Sequence, residues 1–157
     1  MLQVKGLTSS ALHPLRCESM ETIDANKSLL ERVFAELACG NSAPFVDAMS
    51  DEFAWTIGGT TPWSKTYAGK SAVVGELFAG LRARLVPPIR TTAHCFIADG
   101  DHVVVQARGE NVTVEGVRYN NVYCYVFRVA SGKLAEMTEY LDTELARTAL
   151  GDPPASR

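Results

Sequence analysis

Apolar positions change their period once along the chain, from helical in the first half to strand-like in the second. Ile23, Leu30, Phe34, Leu37 and Ala38, with Lys27 between them and Val33 in support, return to one side of a 3.6-residue helix that Gly40-Asn41 stops. A short amphipathic piece, residues 43–49, leads into Glu52-Phe53-Ala54-Trp55-Thr56-Ile57. Its β-branched and aromatic content predicts a strand that Gly58-Gly59 ends. Val73, Val74, Leu77, Phe78, Leu81 and Leu85 mark a second long helix, opened by Gly69-Lys70-Ser71 with Ser71 as its cap and broken by Pro87-Pro88. Strands follow over 89–98, 102–114, 118–130 and 133–141, with turns at Asp99-Gly100, Glu115-Gly116 and Ser131-Gly132. The last three form consecutive hairpins, and a short helix over 142–150 closes the domain. This order predicts an α+β fold in which helices pack on one face of a curved antiparallel sheet. Residues 20–150 form the domain. Residues 1–19, where Pro14 interrupts any amphipathic helix, read as a flexible extension, and 151–157 as a tail.

Composition narrows the partners. A chain of 157 residues, 46% hydrophobic and 21% charged, supports one domain with a real core. A net charge of -3 and scattered Lys and Arg give no footprint for nucleic acid. Cys17, Cys39, Cys95 and Cys124 form no C-x-x-C pair and have no His at ligand spacing, so they read as buried free thiols of a reducing cytosol, without a metal site. No apolar run is long enough to span a bilayer, and a cytoplasmic location is expected. Ser64 to Ser71 ends like a phosphate-binding loop but lacks its first glycine. His94 and His102 have no evident partner.

Two carboxylates stand within strand patterns: Glu110 in Arg108-Gly109-Glu110 and Glu139 in Glu139-Tyr140-Leu141-Asp142. Such a group either faces solvent or sits in a pocket, where burial moves its pKa toward a catalytic range. Alternation puts Arg108 and Glu110 on one side with His102, Val104 and Gln106. It groups Asn121 with Tyr123, Tyr125 and Phe127, and Glu139 with Ala135, Met137 and Leu141. These mixtures of apolar bulk and a few polar groups suit a small-molecule pocket. For Arg108 and Glu110 a solvated polar face is the alternative. The apolar neighbours of Glu139 weaken that alternative for it.

The element order, the string Arg118-Tyr119-Asn120-Asn121-Val122-Tyr123-Cys124-Tyr125-Val126-Phe127, the turn Ser131-Gly132-Lys133 and Glu139-Tyr140-Leu141-Asp142 resemble the nuclear transport factor 2-like superfamily. The resemblance covers about residues 20–150. Within it, the SnoaL-like polyketide cyclases, ketosteroid isomerases and limonene-epoxide hydrolases are similar. It implies a cone-shaped sheet enclosing a deep apolar pocket, no cofactor, and a homodimer through the outer sheet face. The epoxide hydrolases carry an Arg-x-Asp on one strand and an Asp on the last. Their likeness assigns catalysis to Arg108, Glu110 and Glu139, although the family's Tyr and Asn are missing from residues 55–60. The isomerases place an oxyanion donor near Tyr123, but no acid stands between Gly58 and Ala68. In the cyclases one acid suffices, which Glu139 or Glu110 could supply.

The reading is therefore an acid-base enzyme acting on an apolar small molecule. Asn121 and Tyr123 orient the ligand, Trp55, Trp63 and Tyr67 flank the pocket, and Met137 and Leu141 line it. The second reading is a non-catalytic ligand-binding or dimerisation module. Arg108, Glu110, Asn121, Tyr123 and Glu139 are expected around one cavity, with Val103, Val105, Val122, Val126 and Leu134 on the opposite face, covered by a second subunit.

Overall fold

The computed structural model describes residues 13–154. Helix α1 (His13–Ala38) begins seven residues ahead of Met20, with Pro14 in its first turn, where the missing N–H leaves no hydrogen bond unmade. The ends of the expected extension and tail, residues 1–12 and 155–157, lie outside the described residues. Helix α2 (Ala43–Ala48) and strand β1 (Met49–Ile57) follow, then β2 (Thr66–Ala68).

The second long helix is one continuous run with an irregular middle: α3 (Lys70–Ala72), a π-helical segment (Val73–Phe78) and α4 (Ala79–Arg84). Gly69 opens it at φ +91°, a backbone angle that side chains resist, and the expected Ser71 cap does not form. A π turn inserts one residue and changes which side chains face the sheet, which periodicity alone does not reveal.

The main sheet runs β2-β1-β8-β7-β4-β3, with β3 (Thr91–Asp99), β4 (His102–Gly109), β7 (Val122–Ala130) and β8 (Lys133–Leu141). Ser131 at φ +50° and Gly132 at φ +71° make the tight turn between β7 and β8, as the sequence predicts. One pairing departs from the expected meander: β1 lies parallel to β8. The two expected long strands are also broken. β5 (Asn111–Val112) and β6 (Arg118–Tyr119) leave the sheet as a separate ribbon. Asn111 drives the departure by bonding the backbone of Arg90, accepting from its N–H at 2.8 Å and donating to its carbonyl at 3.0 Å. Helix α5 (Thr143–Leu150) closes the domain, capped by Asp142, whose carboxylate accepts from Leu145 N–H at 3.0 Å.

Helix α1 lies across the concave sheet face, its Phe34 ring meeting Phe96, Tyr125 and Phe127. Leu30, Phe53, Val103, Val105, Phe127 and Leu134 are fully buried there. This corrects the expected grouping. Val103 and Val105 point inward, opposite to Arg108, and a bulge at Ala135 turns Leu134 inward as well. Val122 and Val126 do face outward, where Ile97, Val122 and Tyr140 are each more than half exposed. The thiols of Cys39, Cys95 and Cys124 are free, but Cys39 is exposed and the other two are half-buried.

Candidate functional site

Strand alternation on β8 turns Met137, Glu139 and Leu141 inward, and the register sets Glu139 between Tyr125 of β7 and Ile57 of β1. The residue is 6% exposed, and its carboxylate pairs with no cation among the described residues. Trp55, two residues before Ile57 and so on the same face, donates its indole N–H to Glu139 Oε2 at 2.8 Å. Burial pushes the carboxyl from its ordinary 4.5 up to about 7, against the smaller downward pull of the Trp55 bond. Glu139 can therefore hold or release a proton near neutrality.

This carboxyl faces a cavity of about 240 Å³ walled by Phe34, Phe45, Trp55, Phe78 and Phe127. The space exceeds the ~150 Å³ cavity known to hold a benzene. On one wall stand the phenols of Tyr119, Tyr123 and Tyr125. Burial pushes Tyr119 up to about 12 and the other two well above their usual value, and the charge of Glu139 adds to the effect on all three. All three keep their protons at neutral pH. Tyr119 is held by Asn121, whose Nδ2–H donates to the Tyr119 hydroxyl at 3.3 Å, and by a hydrogen bond with Tyr123. Tyr123 stacks on Tyr125 at 5.3 Å between ring centres. Gly109 makes room for it: a Cβ there would lie 3.2 Å from the Tyr123 ring. A carboxyl that titrates near 7 beside phenolic donors in an apolar cavity can move a proton on a bound molecule and stabilise negative charge on its oxygen.

A family model for the SnoaL-like domain matches residues 30–137. The chain belongs to this family. Among the curated proteins none matches the sequence. Three solved structures resemble this SnoaL-like domain in fold. A Jannaschia sp. CCS1 protein, provisionally named a SnoaL-like polyketide cyclase, is 20% identical with a TM-score of 0.67, covering 95% of this chain and 100% of its own. An NTF2-like protein of Burkholderia thailandensis E264 is 19% identical with a TM-score of 0.70, covering 80% and 96%. TerC, co-crystallized with polyporic acid, is 18% identical with a TM-score of 0.68, covering 80% and 98%.

In this SnoaL-like domain the structure sorts the expected site residues. Glu139, Trp55, Trp63, Tyr123, Met137 and Leu141 line the cavity. The Trp63 indole, however, donates to Gly151 O at 2.7 Å and so anchors the chain after α5. Tyr67 and Asn121 are buried beside the cavity and are not among its lining. The Tyr67 hydroxyl donates to Trp63 O at 3.4 Å. Asn121 uses both ends of its amide on the main chain of Asp142, each bond 3.0 Å, and gives its second N–H to Tyr119, so it braces the site and has no N–H left for a ligand.

Arg108 and Glu110 require correction. Both are exposed: Arg108 pairs in register with outward-facing Val122, and Glu110 follows the end of β4. Val103, Val105 and Ala107 occupy the inner face of that strand. Arg108, Glu110 and Glu139 therefore do not converge, and among the described residues no arginine bridges two carboxylates. Tyr119 also lines the cavity, although the expected site did not include it. Its signal was alternation: it stands two positions before Asn121, in phase with Tyr123 and Tyr125.

Proposed function

We propose that this SnoaL-like domain is a cofactor-independent acid-base enzyme that shifts a proton on an apolar carbonyl compound, causing isomerisation or ring closure. The buried Glu139 carboxyl, titrating near 7 against an apolar cavity, carries the reading. Glu139 takes the proton from the carbon next to the carbonyl. The electron pair moves to oxygen, where Tyr119, whose hydroxyl accepts from Asn121 and Tyr123 and so has its own proton free, donates a hydrogen bond to the enolate. Where the substrate carries a double bond conjugated with the enolate, Glu139 then returns the proton to the far carbon of the dienolate and the double bond shifts; where it carries a second carbonyl, the enolate carbon attacks that carbonyl and the proton goes to the new alkoxide. No electron donor or acceptor is needed. The provisional names of two structural neighbours, polyketide cyclase and isomerase, are consistent with this chemistry.

The same proposal includes a homodimer through the outer sheet face, supported by the exposed Ile97, Val122 and Tyr140 on that face. Light scattering at micromolar protein should give twice the mass of the 157-residue chain. A monomer mass would remove this part alone.

The test of the reaction uses 2-tetralone, a compact enolisable ketone, in deuterated buffer. The wild type should accelerate deuterium uptake next to the carbonyl, and Glu139→Gln should abolish the acceleration while 2-tetralone still binds. Binding without acceleration would mark a non-catalytic binding module. Acceleration that survives Glu139→Gln would overturn the role of this residue.

A further inference from the structure

We propose that Arg82 is the specificity residue of the cavity and that the natural substrate is an apolar molecule ending in a carboxylate. The inference rests on the cavity described above and adds the class of molecule that it takes. Among the described residues, two charged side chains line this space, Glu139 and Arg82. Glu139 is buried, whereas Arg82 is exposed, so the acid lies at depth and the arginine stands toward the solvent side of the cavity.

The contacts between them trace one wall. Trp55 donates to Glu139 at 2.8 Å, and its ring meets Phe78 edge-on with centroids 5.7 Å apart. Arg82 stands four residues beyond Phe78 on α4, on the same side of the helix and about 6 Å further along its axis. Aromatic surface therefore separates the two charges. They do not neutralise each other. The causes acting on the Glu139 carboxyl are burial and the Trp55 bond, and no ion pair holds Arg82 among the described residues. Two neighbouring cations do have partners: Arg84 donates to Asp152 O at 2.8 Å, and Lys65 pairs with Glu76 at 2.9 Å.

An arginine beside an apolar opening lays its stem along the rim and keeps its planar fork for a carboxylate, which it holds through two parallel hydrogen bonds. An anion entering this cavity without a counter-charge would meet hydrocarbon walls and a second carboxyl. Arg82 supplies the counter-charge, and the raised pKa of Glu139 reduces the repulsion. The molecule that satisfies both ends has a carbonyl within reach of Tyr119 and Glu139, an apolar spacer of ring size along Trp55 and Phe78, and a remote carboxylate at Arg82.

The probes are 4-phenylbutanoate and its neutral amide, 4-phenylbutanamide, titrated calorimetrically against wild type, Arg82→Gln and Arg82→Lys. The wild type should bind the acid about tenfold more tightly than the amide, and added salt should narrow the gap. Arg82→Gln should erase the preference with amide affinity unchanged, and Arg82→Lys should restore part of it. Equal binding of acid and amide by the wild type, or a preference that survives Arg82→Gln, overturns the proposal. So does failure of both probes to bind. Because Arg82 is exposed, matching thermal melts of the variants check that the fold is kept. Deuterium uptake into neutral 2-tetralone, measured on the wild type and on Glu139→Gln, reports on the acid-base reaction and separates the two readings. Uptake lost with the acid preference intact leaves a binder of apolar acids, and the reverse leaves an enzyme without recognition of a charged end.

Discussion

Replacing Glu139 with Gln should remove a pH dependence of stability whose size follows from the burial of one carboxyl. Glu139 is 6% exposed and titrates at about 7 in the folded chain against an ordinary 4.5. Between those values the folded state holds the proton more firmly than the unfolded state, so stability falls as pH rises. The contribution is fully present below pH 4.5 and is lost as pH passes through 7. From the two pKa values the loss amounts to roughly 3 kcal/mol. The amide of Gln has nearly the same shape, never ionises, and keeps an oxygen to accept the Trp55 indole N–H, so the variant escapes this loss. Urea denaturation at intervals between pH 4.5 and 8.5 reads the effect. The difference in unfolding free energy, variant minus wild type, should grow by roughly 3 kcal/mol across that range. At pH 8 this corresponds to a melting temperature roughly 6–12 °C above the wild type. A difference that stays constant with pH would refute the reasoning, because it would mean that Glu139 ionises in the folded chain as it does in water.

Three further outcomes follow from the same geometry. Trp55→Phe removes the donor that favours the ionised carboxyl, so the pH midpoint of the stability change should move above 7 in the same denaturation series. Asn121→Ala breaks one bond to Tyr119 and two to Asp142, and should lower stability by about 2–3 kcal/mol in chemical denaturation. Arg108→Ala and Glu110→Gln alter exposed side chains away from the cavity. They should change stability by about 0.5 kcal/mol or less and leave deuterium uptake into 2-tetralone at the wild-type rate.

The class of fold and the place of Glu139 were legible because both rest on local pattern. Met137 and Leu141 flank Glu139 on one side of its strand, and regular alternation there carries all three to the inner face. Arg108 shows where the pattern stops. Alternation tells which residues share a face but not which face is inner, and β4 has valines on both, Val103 and Val105 on one and Val104 on the other. The choice is made by α1, which covers one side of the sheet from far away in sequence. The parallel pairing of β1 with β8 is a long-range event of the same kind. Asn121 looked like a ligand donor because its partner, Asp142, stands 21 residues further on and contributes only main-chain atoms. Tyr119 was hidden in a stretch read as one strand, although the ribbon β5–β6 leaves the sheet there and carries its hydroxyl toward the cavity.

One buried carboxyl should both titrate near neutrality and face the ligand. Carbon-13 NMR of protein labelled at the glutamate side-chain carboxyl, with Glu139→Gln identifying the signal, measures this directly. The Glu139 resonance should titrate at about 7, and saturating 2-tetralone should move both its shift and its midpoint. A midpoint near 4.5 that ignores the ketone would contradict both expectations.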